Sequence, residues 1–399
     1  MKKTYIDTAM ERIAPDLILK GGNVVDVFSG RVIKADVIIK DGIICGVGSY
    51  SGENEQDVSG KYIMPGFIDS HVHIESSMTQ PSEYAKAVMP HGITTVIADP
   101  HEITNVCGED GLEFMLKSAK NIPLDVNLML PSCVPATPFE HTGANLDAKT
   151  TQKLASKFFG IGEMMNYPGI VSGDDETLGK LCLDIIDGHA PLLSGHELDA
   201  YASAGIKTDH ECSVIEEMDE KISKGMYILL REGTLSLDVA KLIKGVTPYT
   251  LRRCAFCTDD RFVGEIIRDG SIDHCIRKAV SLGLNNIDAI IMATLNACEI
   301  YGMKNKGAIA PSYVADIVVA DDLNLSSISQ VYKNGKLVCE NGKALFECET
   351  VDNSKVTNTV HLPKISADFF KTDVKDKFDA IELIPESIIT KKVTVSYSD

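Results

Sequence analysis

The sequence predicts an α/β protein: a (β/α)8 TIM-like barrel with a small β-sandwich domain formed by the N- and C-terminal flanks. Three observations predict this fold: strand-rich flanks, eight apolar strand candidates in the middle, and helix-patterned segments between many of these candidates. The 399 residues exceed a usual single domain, although α/β barrels often take about 250 residues in one piece. The predicted parts are N-terminal sandwich strands in 1–64, the barrel in 65–303, C-terminal sandwich strands in 304–345 and a partial C-terminal domain in 346–399.

Both flanks alternate β-branched residues with Gly, Asn and Asp. From residue 16 to residue 48 this alternating pattern predicts short antiparallel strands joined by tight turns. It returns in the C-terminal flank, where the dipeptides Asn334-Gly335 and Asn341-Gly342 predict hairpin turns, because both residue types tolerate positive φ. Two strand-rich pieces therefore enclose the long middle of the chain.

The middle alternates apolar runs with helix-patterned segments. Eight runs are interpreted as buried strands: 63–70, 93–98, 124–130, 159–164, 183–187, 205–209, 226–230 and 254–258. Segments 111–121 and 236–245 lie between such runs and have the period of a helix. Strands and helices that alternate in this way are typical of a (β/α)8 barrel, which binds its substrate at the C-terminal ends of the strands.

Two histidines, His71 and His73, follow the first barrel strand in "MPGFIDSHVHIESS". Residues i and i+2 of a strand point to the same side, so both imidazoles face one spot. Taken alone, the pair is explained equally well by two polar residues in a turn. Further polar candidates follow later strands: Asp99, His101, Glu102, Glu163, His189, His210, Arg231, Asp259 and Asp260.

The whole set favours a metal site over separate structural roles. A single Asp or His after a strand is more often a helix cap or a turn residue. Six of the candidates, however, fall at the same level of the predicted barrel: His71, His73, Glu163, His189, His210 and Asp259. Four imidazoles and two carboxylates are costly to gather at one barrel mouth unless a cation lies between them.

Five segments of the chain carry a resemblance to a known family. They are "PGFIDSHVHIESS", "GITTVIADPHEITNVCG", "GEMMNYPGI", "DGHAPLLSGHELDAYASAGIKTDHECS" and "CTDDR". This set resembles the amidohydrolase superfamily of metallo-hydrolases and, within it, the family of adenine deaminases. The resemblance covers the chain from about Leu17 to Lys343. "DPHEI" combined with "TDHE" is specific within the superfamily, whereas the His-x-His pair is widely shared.

The resemblance implies a centre of two divalent metal ions, Mn2+ or Fe2+ before Zn2+. His71, His73 and Asp259 would hold one ion, and His189 and His210 the other. Glu163 would bridge the two ions, at the position where many relatives carry a carboxylated lysine. A carboxylate suits this exchange because, like a carbamate, it offers two oxygens and one negative charge.

The implied reaction is the hydrolysis of adenine to hypoxanthine and ammonia, a step of purine salvage. Water activated by the two metals would attack C6 of adenine. Asp259 is the first choice for the proton shuttle, with Asp260 and Glu75 as alternatives. The expected purine contacts or proton carriers are Asp99, His101, Glu102 and Arg231.

Composition limits the partners of the protein. Asp and Glu number 57 against 39 Lys and Arg, and the resulting charge of −18 disfavours binding to nucleic acid. The sequence contains no apolar run long enough to span a bilayer, and its 11 cysteines read as reduced thiols, so we expect a cytoplasmic protein without a membrane partner. The expected small-molecule partners are adenine and water, and we expect a homo-oligomer.

Two alternatives remain open at this point. Another amidohydrolase, such as an N-acetylglucosamine-6-phosphate deacetylase, also uses a glutamate in place of the modified lysine. Its sugar-phosphate substrate calls for basic residues at the barrel mouth, where the sequence offers little beyond Arg231. The other alternative is a truncated metal-binding paralogue without activity, because segment 346–399 resembles only the start of a longer C-terminal domain.

Overall fold

The computed structural model describes residues 2–371, 376–387 and 389–396. In chain order its strands are β1 Leu17–Asp26, β2 Arg31–Lys40, β3 Ile43–Gly48, β4 Glu55–Asp57, β5 Tyr62–Pro65, β6 Phe67–Val72, β7 Ile93–Ala98, β8 Asp125–Leu130, β9 Gly160–Met164, β10 Ile186–Gly188, β11 Thr208–Asp209, β12 Tyr227–Arg231, β13 Cys254–Cys257, β14 Ile317–Ala320, β15 Ile328–Lys333, β16 Lys336–Glu340, β17 Lys343–Ala344, β18 Lys377–Leu383 and β19 Thr390–Ser396.

The α-helices lie mostly between the barrel strands. They are α1 Lys2–Ala9, α2 Pro81–Val88, α3 His101–Ser118, α4 Ala148–Leu154, α5 Tyr167–Ser172, α6 Asp175–Gly179, α7 Gly195–Ser203, α8 Ile215–Ser223, α9 Val239–Leu242, α10 Val263–Asp269, α11 Ile272–Ser281, α12 Asn286–Met292 and α13 Leu295–Ile300. Short 3-10 turns extend several of them. Within the described ranges, no helix is both long enough and apolar enough to cross a membrane.

The two flanks of the chain meet in one sheet with the strand order β17-β16-β15-β14-β5-β1-β2-β3, and β4 pairs with β1. The join is the antiparallel pair β5 and β14, in which Ile63 lies opposite Val319. The antiparallel strands predicted in residues 16–48 are present as the pairs β1–β2 and β2–β3. Beyond that range, β4 and β5 both run parallel to β1. The chain turns back tightly through β2 and β3 but then crosses over to the other edge of β1, and such a crossover yields parallel pairs.

The two predicted hairpin turns are present. Asn334 and Gly335 join β15 to β16 with φ of 50° and 74°. Asn341 and Gly342 join β16 to β17 with φ of 49° and 75°. Positive φ at both central residues is the type I′ geometry that Asn-Gly favours, because its twist matches that of the flanking strands.

Each of the eight predicted barrel strands overlaps one strand of the structure, β6 to β13. The first prediction, 63–70, began too early, because residues 63–65 belong to β5 of the sandwich sheet. The eight strands form one parallel sheet from β6 to β10 and another from β11 to β13. A parallel bridge between Val72 and Asp259 brings β13 back to β6. Strands such as β7 and β13 are buried along their whole length, and a barrel strand covered on both faces accordingly has a continuous apolar sequence. The packed interior holds the ends of these strands at fixed positions around one mouth.

Between β17 and β18, the described residues 345–371 and 376 contain no strand or α-helix. The segment after β17 contains a 3-10 turn, Ala367–Phe370, followed by the antiparallel hairpin of β18 and β19. The predicted partial C-terminal domain falls in this segment, and its residues 372–375, 388 and 397–399 lie outside the described residues.

Candidate metal centre

The first group of polar side chains lies where β6 meets β13. His71 is the fifth residue of β6 and His73 follows its end, so the strand alternation points both rings inward. Their Nε2 atoms lie 3.1 Å apart. Oδ1 of Asp259 lies 3.5 Å from Nε2 of His71 and 3.1 Å from Nε2 of His73. Three atoms able to bind a metal therefore surround one point.

Asp259 is held in place by the main chain. It follows β13 and has a φ of 54°, which is uncommon for a residue with a side chain. Its N–H donates to the carbonyl oxygen of His71 at 3.0 Å, and its own carbonyl oxygen accepts from the N–H of His73 at 3.3 Å. The bridge that closes the barrel is therefore also the element that fixes the first group.

The second group lies beside the first, with the ring of His210 stacked on that of His71 at 4.0 Å between centroids. Nδ1 of His189, just after β10, lies 2.6 Å from Oε2 of Glu163. Nε2 of His210, just after β11, lies 3.2 Å from the same oxygen. The other oxygen of Glu163, Oε1, lies 3.3 Å from Nε2 of His73. The carboxylate of Glu163, near the end of β9, thus lies between the two groups.

These residues fit a metal centre. Two atoms bound to one ion, each at about 2.1 Å, are about 3.0–3.4 Å apart, and the separations above fall close to that range. His71 is fully buried and His210 is 1% exposed, and Nε2 of His210 faces Oε2 of Glu163 without a well-formed hydrogen bond within the described residues. A buried ring nitrogen in such a place is costly unless a cation lies between it and the carboxylate. Within the described residues, five sets of side chains bring three ligand atoms within 4.8 Å of one another, and three of these sets draw only on the predicted ligands: His71, His73 and Glu163; His71, His210 and Asp259; Glu163, His189 and His210. His71 and His210 share one set, so the sets do not divide as the predicted assignment to two ions does.

The pKa shifts of these side chains also favour a metal centre. Burial would raise the pKa of Glu163, but the neighbouring His189, His101 and His210 hold it well below its ordinary value. Burial would lower the pKa of His210, but the carboxylates of Glu163 and Glu211 raise it well above the ordinary value. Without a metal, the carboxylates therefore draw protons onto the rings. A divalent cation supplies the same positive charge at the same place.

The residues predicted to bind substrate divide into two kinds. His101 and Glu102 begin α3 at the mouth and are partly exposed, and Nε2 of His101 lies 3.2 Å from Oε1 of Glu163. Asp99 is buried beneath them, and its Oδ2 accepts a hydrogen bond from the N–H of Glu163 at 2.9 Å. Asp99 thus supports Glu163 from below, whereas His101 and Glu102 face the open side.

Arg231 is also buried, with 2% of its side chain exposed. Its Nε and Nη2 donate to Oδ2 of Asp238 at 3.1 and 3.0 Å, and its Nη1 donates to Oδ2 of Asp259 at 3.0 Å. Nη1 also contacts Glu211. This geometry favours a role in holding carboxylates over the purine contact that the sequence predicts.

The two alternative proton carriers lie at the rim of the centre. Asp260 is exposed and accepts a hydrogen bond from Ser76, whose hydroxyl also donates to Glu102 at 3.1 Å. Oε1 of Glu75 accepts from the N–H of Ile103 at 3.3 Å. Burial, together with the negative charge of Glu102, raises the pKa of Glu75 to about 8. Carboxyl groups therefore line this side of the mouth.

Sequence reasoning missed Glu211. Its Oε1 lies 3.4 Å from Nε2 of His210 and 3.6 Å from Nδ1 of His189. Its Oε2 is buried without a hydrogen-bond partner within the described residues. The sequence feature that could have identified Glu211 is its position directly after His210, at the end of a barrel strand. Strand alternation argues against two neighbours facing one site, and the chain leaves the strand geometry at this point because β11 ends at Asp209.

A cavity of 660 Å³ lies beside the centre, between the loops that follow β8 and β9. Ser132 lines it and donates to the carbonyl oxygen of Glu163 at 2.5 Å. Met164, Asn166 and Lys180 also line it. Its volume is within the range of small-molecule sites.

Residues 62–338 match the model of the amidohydrolase family. Adenine deaminase 2 of Desulfotalea psychrophila is 46% identical over 402 residues, which cover 99% of this chain and 70% of the relative. An adenine deaminase of Clostridium acetobutylicum is 48% identical over 397 residues, which cover 97% of this chain and 70% of the relative.

Solved structures show the same fold at lower identity. An enamidase described as a member of the amidohydrolase superfamily superposes with a TM-score of 0.62 at 18% identity, over 83% of this chain and 97% of the other. A β-aspartyl dipeptidase of Fervidobacterium islandicum superposes with a TM-score of 0.59 at 19% identity, over 84% of this chain and 98% of the other.

Proposed function

This chain belongs to the amidohydrolase family, and from that premise we propose that it hydrolyses adenine to hypoxanthine and ammonia. The observation that carries this function is the identity of 42–48% to adenine deaminases, which extends over nearly the whole chain. The reaction adds one water at C6 of the purine and releases the exocyclic amino group as ammonia. The substrate is thus a small neutral molecule, and the co-substrate is water.

We propose that two divalent cations occupy the centre and that His71, His73 and Asp259 bind one of them. His189 and His210 would bind the other, and Glu163 would bridge the pair. A bound pair lowers the pKa of a shared water toward about 7, which supplies a nucleophile at neutral pH. Imidazole and carboxylate ligands accept Mn2+, Fe2+ and Zn2+, and the family resemblance favours Mn2+ or Fe2+.

Asp259 is the proposed proton carrier. Burial would raise its pKa, but the nearby histidines, led by His71 and His73, hold the pKa well below the ordinary value, so the group is an ionised carboxylate at neutral pH. Its Oδ1 faces the centre, where it can accept a proton from the attacking water. It then returns that proton to the departing amine, which leaves as ammonia. Arg231 occupies the other oxygen, Oδ2, and so keeps Oδ1 directed inward.

The rim supports a neutral substrate. Glu102 and Asp260 lie together around Ser76, and their carboxylates repel a phosphate group. A carboxylate at this position is suited to accept a hydrogen bond from the amino group of a purine. We propose that Glu102 and His101 make such contacts at the open side of the centre.

The decisive test is ammonia release from adenine by the purified chain reconstituted with Mn2+. We expect ammonia and hypoxanthine in equal amounts, and loss of turnover in His71→Ala. His196→Ala is the matched control, because the side chain of His196 on α7 is fully exposed. A reconstituted protein that binds two metals but releases no ammonia from adenine would contradict the proposed function.

A further inference from the structure

The barrel closes along two seams, where its two sheets meet, and each seam carries candidate metal ligands. Backbone hydrogen bonds between Asp259 and both His71 and His73 close the seam of β13 and β6. The other seam lies between β10 and β11, which lead to His189 and His210. Within the described residues, no backbone hydrogen bond joins β10 to β11. Contacts other than backbone hydrogen bonds must therefore hold His189 and His210 in position.

Side-chain hydrogen bonds join the two strands instead. The N–H of Gly188 donates to Oγ1 of Thr208 at 3.1 Å, and the N–H of Ala190 donates to Oδ2 of Asp209 at 2.9 Å. The Nζ of Lys221 lies 3.1 Å from the same oxygen of Asp209 and donates to the carbonyl oxygen of Ala190 at 2.7 Å. Both sides of the seam thus converge on one ammonium group.

Two of the contacts of Lys221, Ala190 and Asp209, lie next to candidate ligands in the chain. Ala190 directly follows His189, and Asp209 directly precedes His210. Because a residue directly bonded along the backbone cannot move far without its neighbour, the ammonium fixes the spacing of the two imidazoles. Lys221 itself acts only through these neighbours, since its bonds go to Ala190, Asp209 and Glu217.

Lys221 is itself rigidly held. It lies on α8 with a side chain that is 0% exposed, and Nζ donates to Oε1 of Glu217 one turn earlier at 2.7 Å. That oxygen also accepts from the N–H of Leu192 at 2.7 Å, so Glu217 ties the loop after His189 to the same cluster. Burial would lower the pKa of Lys221, but Asp209 and Glu217 are among the groups that raise it, so the amine is charged.

We propose that Lys221 is a positioning residue for the second metal: it holds the ends of β10 and β11 at the separation at which His189 and His210 share one cation. This inference rests on the proposed two-metal centre. The first metal has its own support, because backbone hydrogen bonds fix His71, His73 and Asp259 without Lys221. Loss of the ammonium therefore weakens one of the two metals and spares the other.

The test uses Lys221→Met in the full chain. Metal-free protein is titrated with Mn2+, bound metal is counted by equilibrium dialysis, and the spin coupling of the two ions is followed by electron paramagnetic resonance. We expect two Mn2+ in the unmodified protein. In Lys221→Met we expect the dissociation constant of one Mn2+ to rise by about 10–100-fold while that of the other is unchanged. The coupled signal should give way to that of an isolated ion.

Lys333→Met is the matched control. Lys333 is also buried, at 2% exposure, and binds Asp125 and Asp316 at 2.8 and 2.7 Å. Asp125 begins β8, so this cluster lies at the end of the barrel away from the centre. Removal of Lys333 also breaks a buried charge pair, but we expect it to leave both Mn2+ sites unchanged.

Glu217→Gln is the milder variant, and it replaces Lys221→Met in the test if that variant does not fold. It keeps the size of the side chain and weakens the ion pair with Lys221. We therefore expect a smaller rise in the dissociation constant of the same Mn2+ and no change for the other. Wild-type affinity for both ions, equal weakening of both, or the same selective loss in Lys333→Met would overturn the role of Lys221. Fewer than two Mn2+ in the unmodified protein would instead overturn the two-metal centre on which the role depends.

Discussion

Nη1 of Arg231 donates a hydrogen bond to Oδ2 of Asp259 at 3.0 Å, while Oδ1 of the same carboxylate faces His71 and His73 at 3.5 and 3.1 Å. The two oxygens of Asp259 therefore have separate partners. One is bound by a buried cation of the protein, and the other is directed at the metal centre. This division explains how a residue with an uncommon backbone conformation keeps a defined side-chain direction.

Arg231→Lys tests whether Arg231 positions Asp259 or binds the purine. Lysine keeps the charge but cannot reproduce the planar fork that contacts Asp238, Glu211 and Asp259 together. A positioning role predicts that kcat falls about 10–100-fold while KM changes little, because the loss is confined to the transition state. Steady-state kinetics with adenine separate the two parameters. A raised KM with unchanged kcat would instead support the purine contact that the sequence predicts.

Asp259→Asn removes the proposed proton carrier with almost no change in volume. The amide cannot accept and return a proton, so we expect kcat to fall by about 10²–10⁴-fold, the usual contribution of general acid–base catalysis. Asp260→Asn is the neighbouring control, because Asp260 is exposed and contacts Ser76 at the rim. We expect a much smaller effect there. Equal losses in the two variants, measured by hypoxanthine formation, would contradict the assignment to Asp259.

Glu102→Gln tests the open side of the centre. Glu102 is one-third exposed and accepts a hydrogen bond from Ser76 at 3.1 Å, and its Oε2 lies 3.5 Å from Nδ1 of His73. Glutamine keeps the size of the side chain at both contacts. If the carboxylate accepts a hydrogen bond from the purine, KM should rise by about 10–100-fold, since a bond to a charged group contributes about 1.5–3 kcal/mol. Metal content, measured by atomic emission, should remain that of the unmodified protein. An unchanged KM would exclude Glu102 as a purine contact.

The sequence predicted the barrel strands well because parallel strands covered on both faces are continuous apolar runs, and each run ends in polar residues. The same pattern located the six candidate ligands, since strand ends meet at one mouth of a barrel. It could not show the direction of Arg231 or Asp99. Both follow or end strands, as the ligands do, but their partners lie far along the chain: Asp259 and Glu211 for Arg231, and Glu163 for Asp99.

Lys221 illustrates a second limit. It lies in "MDEKIS", where acidic and basic residues alternate on a helix, and such a segment usually reads as a solvated face. Its side chain is nevertheless completely buried against Asp209 and Glu217. Within the described residues no backbone ladder joins β10 to β11, and the partners that bury Lys221 at this seam are brought together only in the folded chain.

Removal of the metals should destabilise the protein, and more strongly at pH 8 than at pH 6. In the metal-free protein, His73 and His210 have pKa values well above the ordinary value: burial opposes protonation, but carboxylates including Glu102 and Glu163 outweigh it. Groups with a raised pKa add stability that is complete below about pH 6.5 and is lost as pH rises through their folded pKa. Metals replace those protons, and each ion at 100 times its Kd adds about 2.7 kcal/mol. The difference in Tm between metal-loaded and chelated protein should therefore grow from pH 6 to pH 8, and Mn2+ should release protons from weakly buffered metal-free protein. An equal difference at both pH values, without proton release, would show that these rings are not the ligands.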